Sequence, residues 1–178
     1  QNVNNTWNKV GGDIGGEADH DYSGSSVSLS SDGSVVAIGA FNNDGNGYDS
    51  GHVRIYKNVN DTWTQVGGDI DGEANGDNSG LSVSLSSDGS VVAIGAPRNI
   101  ANGYSGHVRV YKNVNNIWTQ VGSDIDGEAN GDYSGTSVSL SSDGSVVAIG
   151  ASRNEGNGTR SGHVRIYQNI NNTWNKVI

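Results

Sequence analysis

An all-β chain made of repeated four-stranded antiparallel units is what this sequence predicts, on three observations. The motif "SVSLSSDGSVVAIGA" begins at Ser26, Ser82 and Ser137, spacings of 56 and then 55 residues. A period of that size marks a propeller or an array of supersecondary units. The apolar residues, only 33% of the chain, are gathered in short runs rich in Val and Ile, which is how strands read and how disordered segments do not. No segment carries a helical period of useful length.

Each strand of the unit follows from its own pattern. The first, "SVSLS" at 82–86, alternates, so that Val83 and Leu85 face one side and the serines the other. "SDGS" follows, and Asp88-Gly89 suits a tight hairpin in which both central residues take positive φ. The second strand, "VVAIGA", is apolar without alternation, as in a strand buried on both faces. Its small Ala93, Gly95 and Ala96 admit close approach of neighbouring backbone. The third, "HVRIY", alternates again: Val53 and Ile55 point one way, and His52, Arg54 and Tyr56 the other. The fourth, "TWTQVG", is short, polar and aromatic, as suits an outer edge strand.

Such a unit, with a central strand buried on both faces, describes a propeller blade, and a linear stack of small β-sheets is the alternative. The expected divisions are 1–24 for an extra outer strand and linker, 25–80 for repeat 1, 81–135 for repeat 2 and 136–178 for repeat 3. "SGLSVSLSSDGSVVAIGAP" followed by "SGHVRVY" resembles the FG-GAP repeat of integrin α-subunit propellers and of many bacterial and algal surface proteins. The resemblance spans essentially the whole chain and implies blade architecture and extracellular binding or adhesion. There are departures. Ser79-Gly80 stands where the family has Phe-Gly, and the proline of "GAP" is kept only as Pro97. The family's calcium loop falls between the first two strands, where this chain has "SSDGS", so the resemblance does not carry the metal site with it.

Composition narrows the functional classes. Net charge is −9, against a nucleic-acid partner, since phosphate binding needs a basic face. Lys and Arg are scattered, and no apolar stretch approaches the roughly 20 residues of a membrane span, so membrane insertion is not expected. With no cysteine there is neither a disulfide framework nor thiol chemistry. There is no initiator Met and no signal peptide, which is expected of a processed chain or a piece of a longer one. Richness in Asn, Asp, Gly and Ser suggests an extracellular or cell-surface setting. Phosphate loops, nucleophile elbows and zinc spacings are missing, and the chain is expected not to be an enzyme.

The candidate metal ligands lie in the acidic stretches between units, "DIGGEADHD", "DIDGEANGD" and "DIDGEANGD". They are Asp13, Glu17 and Asp21; Asp69, Asp71, Glu73 and Asp77; and Asp124, Asp126, Glu128 and Asp132. Calcium takes six to eight oxygens in a flexible shell, and these loops are rich in carboxylates. Yet Ala74 stands where an EF-hand needs Gly, and Gly80 where it needs the bidentate Glu. An inter-blade turn, with the acids accepting backbone N–H groups, is the other reading. A second acidic loop, "NNDGNGYD" at 42–49, becomes "RNIANGYS" and "RNEGNGTR" in the other repeats, as an ordinary turn would.

His52, His107 and His163 each precede an arginine by two residues, Arg54, Arg109 and Arg165. No carboxylate or nucleophile stands at local spacing, so a polar strand face bonded to the neighbouring unit is expected. Trp7, Trp63, Trp118 and Trp174 sit beside Asn and Asp. They could stack on sugars in a glycan-binding module, or cover the blade rim. Asn4, Asn60, Asn157 and Asn171 begin glycosylation sequons. The first expectation is therefore a non-enzymatic extracellular structural or adhesion repeat protein, part of a larger array or self-assembling. Its partners would be further repeats or copies of itself, glycans or cell-surface proteins. The alternative is a lectin-like propeller module. "QNVNNTWNKV" at the start is repeated as "QNINNTWNKVI" at the end. That makes four copies of the fourth strand against three of the others, the spare being free to pair with another chain.

Overall fold

The computed structural model describes residues 1–100 and 103–177. Ala101 and Asn102 of the second "RNIANGYS" loop, and Ile178 at the end of repeat 3, lie outside the described residues. The structure is three blades of a β-propeller, with no helix among the described residues. A short hairpin comes first, β1 (Asn2–Val3) and β2 (Thr6–Trp7). Blade 1 is β3 (Ser26–Leu29), β4 (Val35–Ala40), β5 (His52–Val59) and β6 (Thr62–Gln65), with β7 (Ile70–Asp71) returning to pair with the start of β5. Blade 2 is β8 (Ser82–Leu85), β9 (Val91–Ala96), β10 (His107–Val114) and β11 (Ile117–Gln120), and β12 (Ile125–Asp126) pairs with β10 in the same way. Blade 3 is β13 (Ser134–Leu140), β14 (Val146–Ala151), β15 (His163–Ile170) and β16 (Thr173–Lys176). Each blade is an antiparallel meander in chain order.

The hairpin expected to be a spare fourth strand pairs with itself, Asn2 with Trp7 and Val3 with Thr6. Blade 3 already carries its own fourth strand, since β16 pairs with β15. The turns also differ from expectation. In "SSDGS" only Gly33, Gly89 and Gly144 take positive φ, at 70°, 70° and 74°. Asp32 instead accepts from the Ser30 hydroxyl at 2.7 Å and from the Ser34 amide at 2.9 Å, which builds a longer loop around a tight turn. The two-residue turns with both residues left-handed lie elsewhere: Asn60 and Asp61 have φ of 51° and 61°, and Asn115 and Asn116 of 54° and 64°. Asn and Asp tolerate that region better than other side chains.

The second strand binds the blades together. In β9, Val92 and Ile94 pack with Val35, Ala37, Val53, Ile55 and Ile70 of blade 1. Val91 and Ala93 of the same strand pack with Val147 and Ile149 of blade 3. Strand alternation makes this possible, because neighbouring side chains leave opposite faces. The serines of the first strand clasp the next blade. Ser28 Oγ accepts from the Leu85 amide and Ser84 Oγ from the Leu140 amide, both at 2.9 Å. Ser26 Oγ donates to the Gly80 carbonyl at 2.7 Å and Ser82 Oγ to that of Gly135 at 2.8 Å. These carbonyls come so near that a Cβ on Gly39 would lie 2.0 Å from the Gly80 oxygen, and one on Gly95 2.1 Å from that of Gly135. The glycine of "VVAIGA" is a spacing requirement between blades. Contacts between blades are densest at their first and second strands (β3 with β8, β8 with β13, β4 with β8, β9 with β13), and the third strand β10 also meets β13. The blades therefore converge on their first strands, as in a propeller arc.

Candidate functional site

The chemistry-bearing side chains collect where the linker entering a blade crosses that blade's third strand. The acids of one stretch separate there. Asp21, Asp77 and Asp132 are buried and turn inward. Asp21 accepts from the Ala18 amide at 3.1 Å and the Asn43 amide nitrogen at 3.0 Å. Asp132 does the same with Ala129 at 3.1 Å and Asn154 at 3.0 Å, and Asp77 accepts from Ala74 at 3.0 Å. These aspartates fix the linker turn. Asp71 and Asp126 lie in β7 and β12, opposite His52 and His107. Burial, with the charge of Asp69 adding to it, raises the Asp71 carboxyl. Asp13 is held below its usual range by hydrogen bonding to Lys9.

Glu17 and Glu73 instead reach over the third strand. Glu17 Oε1 lies 3.2 Å from Arg54 Nη1, and Glu73 Oε1 3.3 Å from Arg109 Nη1. Glu128 pairs with Arg165 in blade 3. Each of the first two arginines also donates to a backbone carbonyl at 2.8 Å, Arg54 to Gly15 of the linker and Arg109 to Asp71 of β7. The second glutamate oxygen turns toward the histidine two residues upstream. Glu17 Oε2 is 3.9 Å from His52 Nδ1, and Asp69 Oδ2 approaches the same nitrogen to 3.8 Å. In blade 2 the distances are 3.9 Å from Glu73 and 3.7 Å from Asp124 to His107 Nδ1. Burial, reinforced by the Arg109 charge, lowers the His107 pKa, which favours neutral imidazole.

Sequence spacing shows no carboxylate beside the histidines, yet the fold delivers two. One comes from the linker before the blade, and one, Asp69 or Asp124, from the turn between the outer strand and the short strand that returns to the third (β6 to β7, β11 to β12). Among the described residues, no three acids of a single stretch gather. The two clusters that form are Glu17–His52–Asp69 and Glu73–His107–Asp124. The recurrence of Glu, His and Asp at nearly the same offsets in both units, 35 and 34 residues from Glu to His and 17 from His to Asp, is the signal the sequence carries.

The tryptophans divide into two kinds. Trp63, Trp118 and Trp174 donate their indole N–H to the carbonyls of Val10, Val66 and Val121, at 3.0, 2.7 and 2.8 Å. Each thereby clips its blade to the segment just after the preceding β2, β6 or β11 strand. Trp7 is 79% exposed. Asn4, Asn60 and Asn171 open two-residue hairpin turns with φ of 51°, 51° and 53°, and with Asn157 all four are exposed. In the "SSDGS" turns, hydrogen bonds from the Ser30 hydroxyl and Ser34 amide lower Asp32 to about 2. The Ser141 hydroxyl and Ser145 amide lower Asp143 likewise to about 2.

A search of curated proteins finds no match. Several solved structures share the fold. A Bacteroides uniformis protein described as a candidate 6-phosphogluconolactonase superposes with a TM-score of 0.57 at 16% identity, over 86% of this chain and 39% of that one. Saccharomyces cerevisiae Sqt1 does so with 0.57 at 15% identity, over 90% and 36%. The Pseudomonas aeruginosa periplasmic gluconolactonase PpgL gives 0.51 at 16% identity, over 82% and 39%. This chain thus spans less than half the length of each. The likeness extends to propeller architecture alone. The FG-GAP repeat model matches residues 15–56 and 119–167, which include the linker glutamates and the histidine strands of blades 1 and 3. On that match, which covers about half of its residues, the chain belongs to the FG-GAP repeat family.

Proposed function

We propose that the chain is a non-enzymatic scaffold of the cell surface or extracellular space, which associates end to end through its outer blades for structural or adhesive work. The supporting observation is a pair of apolar faces that match each other. Val27 and Leu29 of blade 1 are 62% and 59% exposed, whereas Leu85, the counterpart of Leu29, is 7% exposed because it packs on blade 1. At the other end Val164 is 62% exposed, whereas its counterparts Val53 and Val108 are fully buried under the following blade. The two open faces are the two halves of a contact the molecule makes twice internally. Exposed apolar surface of this kind is an interaction surface, and a head-to-tail contact propagates until it closes. The first strand of one copy is not the natural link, because β16 already completes blade 3. Sedimentation of the chain should show concentration-dependent association that Leu29→Asp with Val164→Asp abolishes. A wild-type monomer at 100-micromolar concentration (order of magnitude) defeats the reading.

Glycan binding is a second reading, favoured by one surface. A groove of about 550 Å³ beside the first hairpin is lined by Trp7, Trp63, Asp32 and Asn58 among others. An exposed indole over polar groups suits stacking on a sugar ring. Glycan-array signal that disappears on Trp7→Ala supports this reading, and signal unchanged by that substitution removes it.

A further inference from the structure

We propose that Glu17–His52–Asp69 and Glu73–His107–Asp124 are two equivalent sites for a divalent transition-metal ion of the zinc class, one in each of the first two blades. In each, one nitrogen and two carboxylate oxygens lie within 4.8 Å of one another. The histidine side chains are 2% exposed. Their Nδ1 atoms face two carboxylates at 3.7–3.9 Å, beyond hydrogen-bond reach. Nε2 of His107 is buried and also without a partner. In His107 the buried imidazole thus leaves Nε2 unpaired and aims Nδ1 at two anions beyond hydrogen-bond reach, which is costly unless something sits between them. Ligand bonds of about 2.0–2.2 Å in a tetrahedral shell would require each nitrogen–oxygen separation to close by only a few tenths of an ångström.

The groups behind the ligands strengthen the assignment. A ligating carboxylate is ordinarily oriented by an outer hydrogen bond. Here Glu17 offers Oε2 to the site while Arg54 holds Oε1 at 3.2 Å. Asp69 offers Oδ2 while Gln65 Nε2 holds Oδ1 at 2.6 Å. Blade 2 repeats both, with Arg109 on Glu73 at 3.3 Å and Gln120 on Asp124 at 2.7 Å. One nitrogen and two oxygens suit zinc, with water completing the shell. Calcium asks for six to eight oxygens and gains nothing from imidazole. Such an ion would join the linker entering a blade to the third strand of that blade and to the turn that follows its outer strand. Blade 3 is the internal control: Glu128 and His163 are present, but no three-ligand group forms there among the described residues.

The test is a zinc chloride titration of EDTA-treated chain by calorimetry, with metal content measured after desalting and the fold followed by circular dichroism. A His20→Gln, His163→Gln background removes the two other histidines. Two ions per chain are expected, with a raised melting temperature. Asp69→Asn should leave one ion, and Asp69→Asn with Asp124→Asn none, the fold persisting in both. Gln65→Ala with Gln120→Ala should weaken zinc about 10–100-fold. Three results overturn the proposal: no zinc bound at roughly tenfold above the protein concentration, stoichiometry unchanged in the Asp69→Asn, Asp124→Asn variant, or calcium chloride binding as tightly as zinc.

Discussion

Val108 and Val164 occupy the same place in the same strand of successive blades, within "GHVRVY" and "GHVRIY". Val108 is fully buried and Val164 is 62% exposed. Nothing local separates them. The difference is that β13 and β14 of blade 3 cover Val108, while no blade among the described residues covers Val164. A near-identical sequence thus has a different energetic role in the middle of the array and at its end. The blade is a half-interface, stable in proportion to what packs on it, as in other repeat architectures.

The largest expected effect lies in the middle. Ile94→Ala removes a side chain shared between blades 1 and 2 and should cost about 2–5 kcal/mol. Leu29→Ala, on the open face, should stay within about 0.5 kcal/mol in the monomer. Urea unfolding measures both, and equal costs would break the comparison. Next comes the spacing glycine. Gly95→Ala drives a Cβ into the Gly135 carbonyl of blade 3, whereas the nearest atom to one on Gly150 is the Ser137 Oγ. A carbonyl in a strand cannot move aside as a hydroxyl can. The first change should cost about 1–3 kcal/mol and the second clearly less, read as a difference in melting temperature.

A smaller effect sharpens the picture at the clasp. Ser84→Ala leaves the Leu140 amide without its acceptor and should cost about 1 kcal/mol or somewhat more. Ser139 is the matching serine of blade 3 and is exposed, so Ser139→Ala should be near neutral. The smallest effect is acid dependence of the turns. Asp32 and Asp143 have folded pKa values of about 2, against an ordinary 3.8. A depressed carboxyl stabilises the fold above its unfolded pKa, and that share is lost as pH falls through about 4 toward 2. Asp32→Asn with Asp143→Asn should therefore flatten part of the loss of stability between pH 5 and pH 2.5 (roughly). Both groups are exposed, so the change is modest.

What the sequence made legible follows the range of the interactions. Strands, their buried faces and the repeat are set by neighbours two to six residues apart, and periodicity exposes them. The double burial of "VVAIGA" could be read because an unbroken apolar run admits few alternatives. The "SSDGS" turn departs from what its sequence predicts, because Asp-Gly is the common signal for paired positive φ. Here the Ser30 and Ser34 contacts to Asp32 stabilise a longer loop. The Asn-Asp and Asn-Asn turns that do adopt that geometry lack the Asp-Gly signal and stand out in the sequence only as sequons and neighbours of tryptophan. The histidine clusters could not be read locally. Glu17 lies 35 residues before His52, and Asp69 follows it by 17. Only the entry of the linker over the third strand and the return of β7 along β5 bring them together.

The central claim is that the two outer faces are unfinished halves of one interface. Hydrogen exchange read by mass spectrometry at low and high protein concentration tests it most directly. Raising concentration should slow exchange in the strands holding Val27–Leu29 and Val164–Ile166, while the 91–96 segment, covered on both sides in every molecule, keeps its rate. Identical exchange of the end strands at both concentrations would contradict the account.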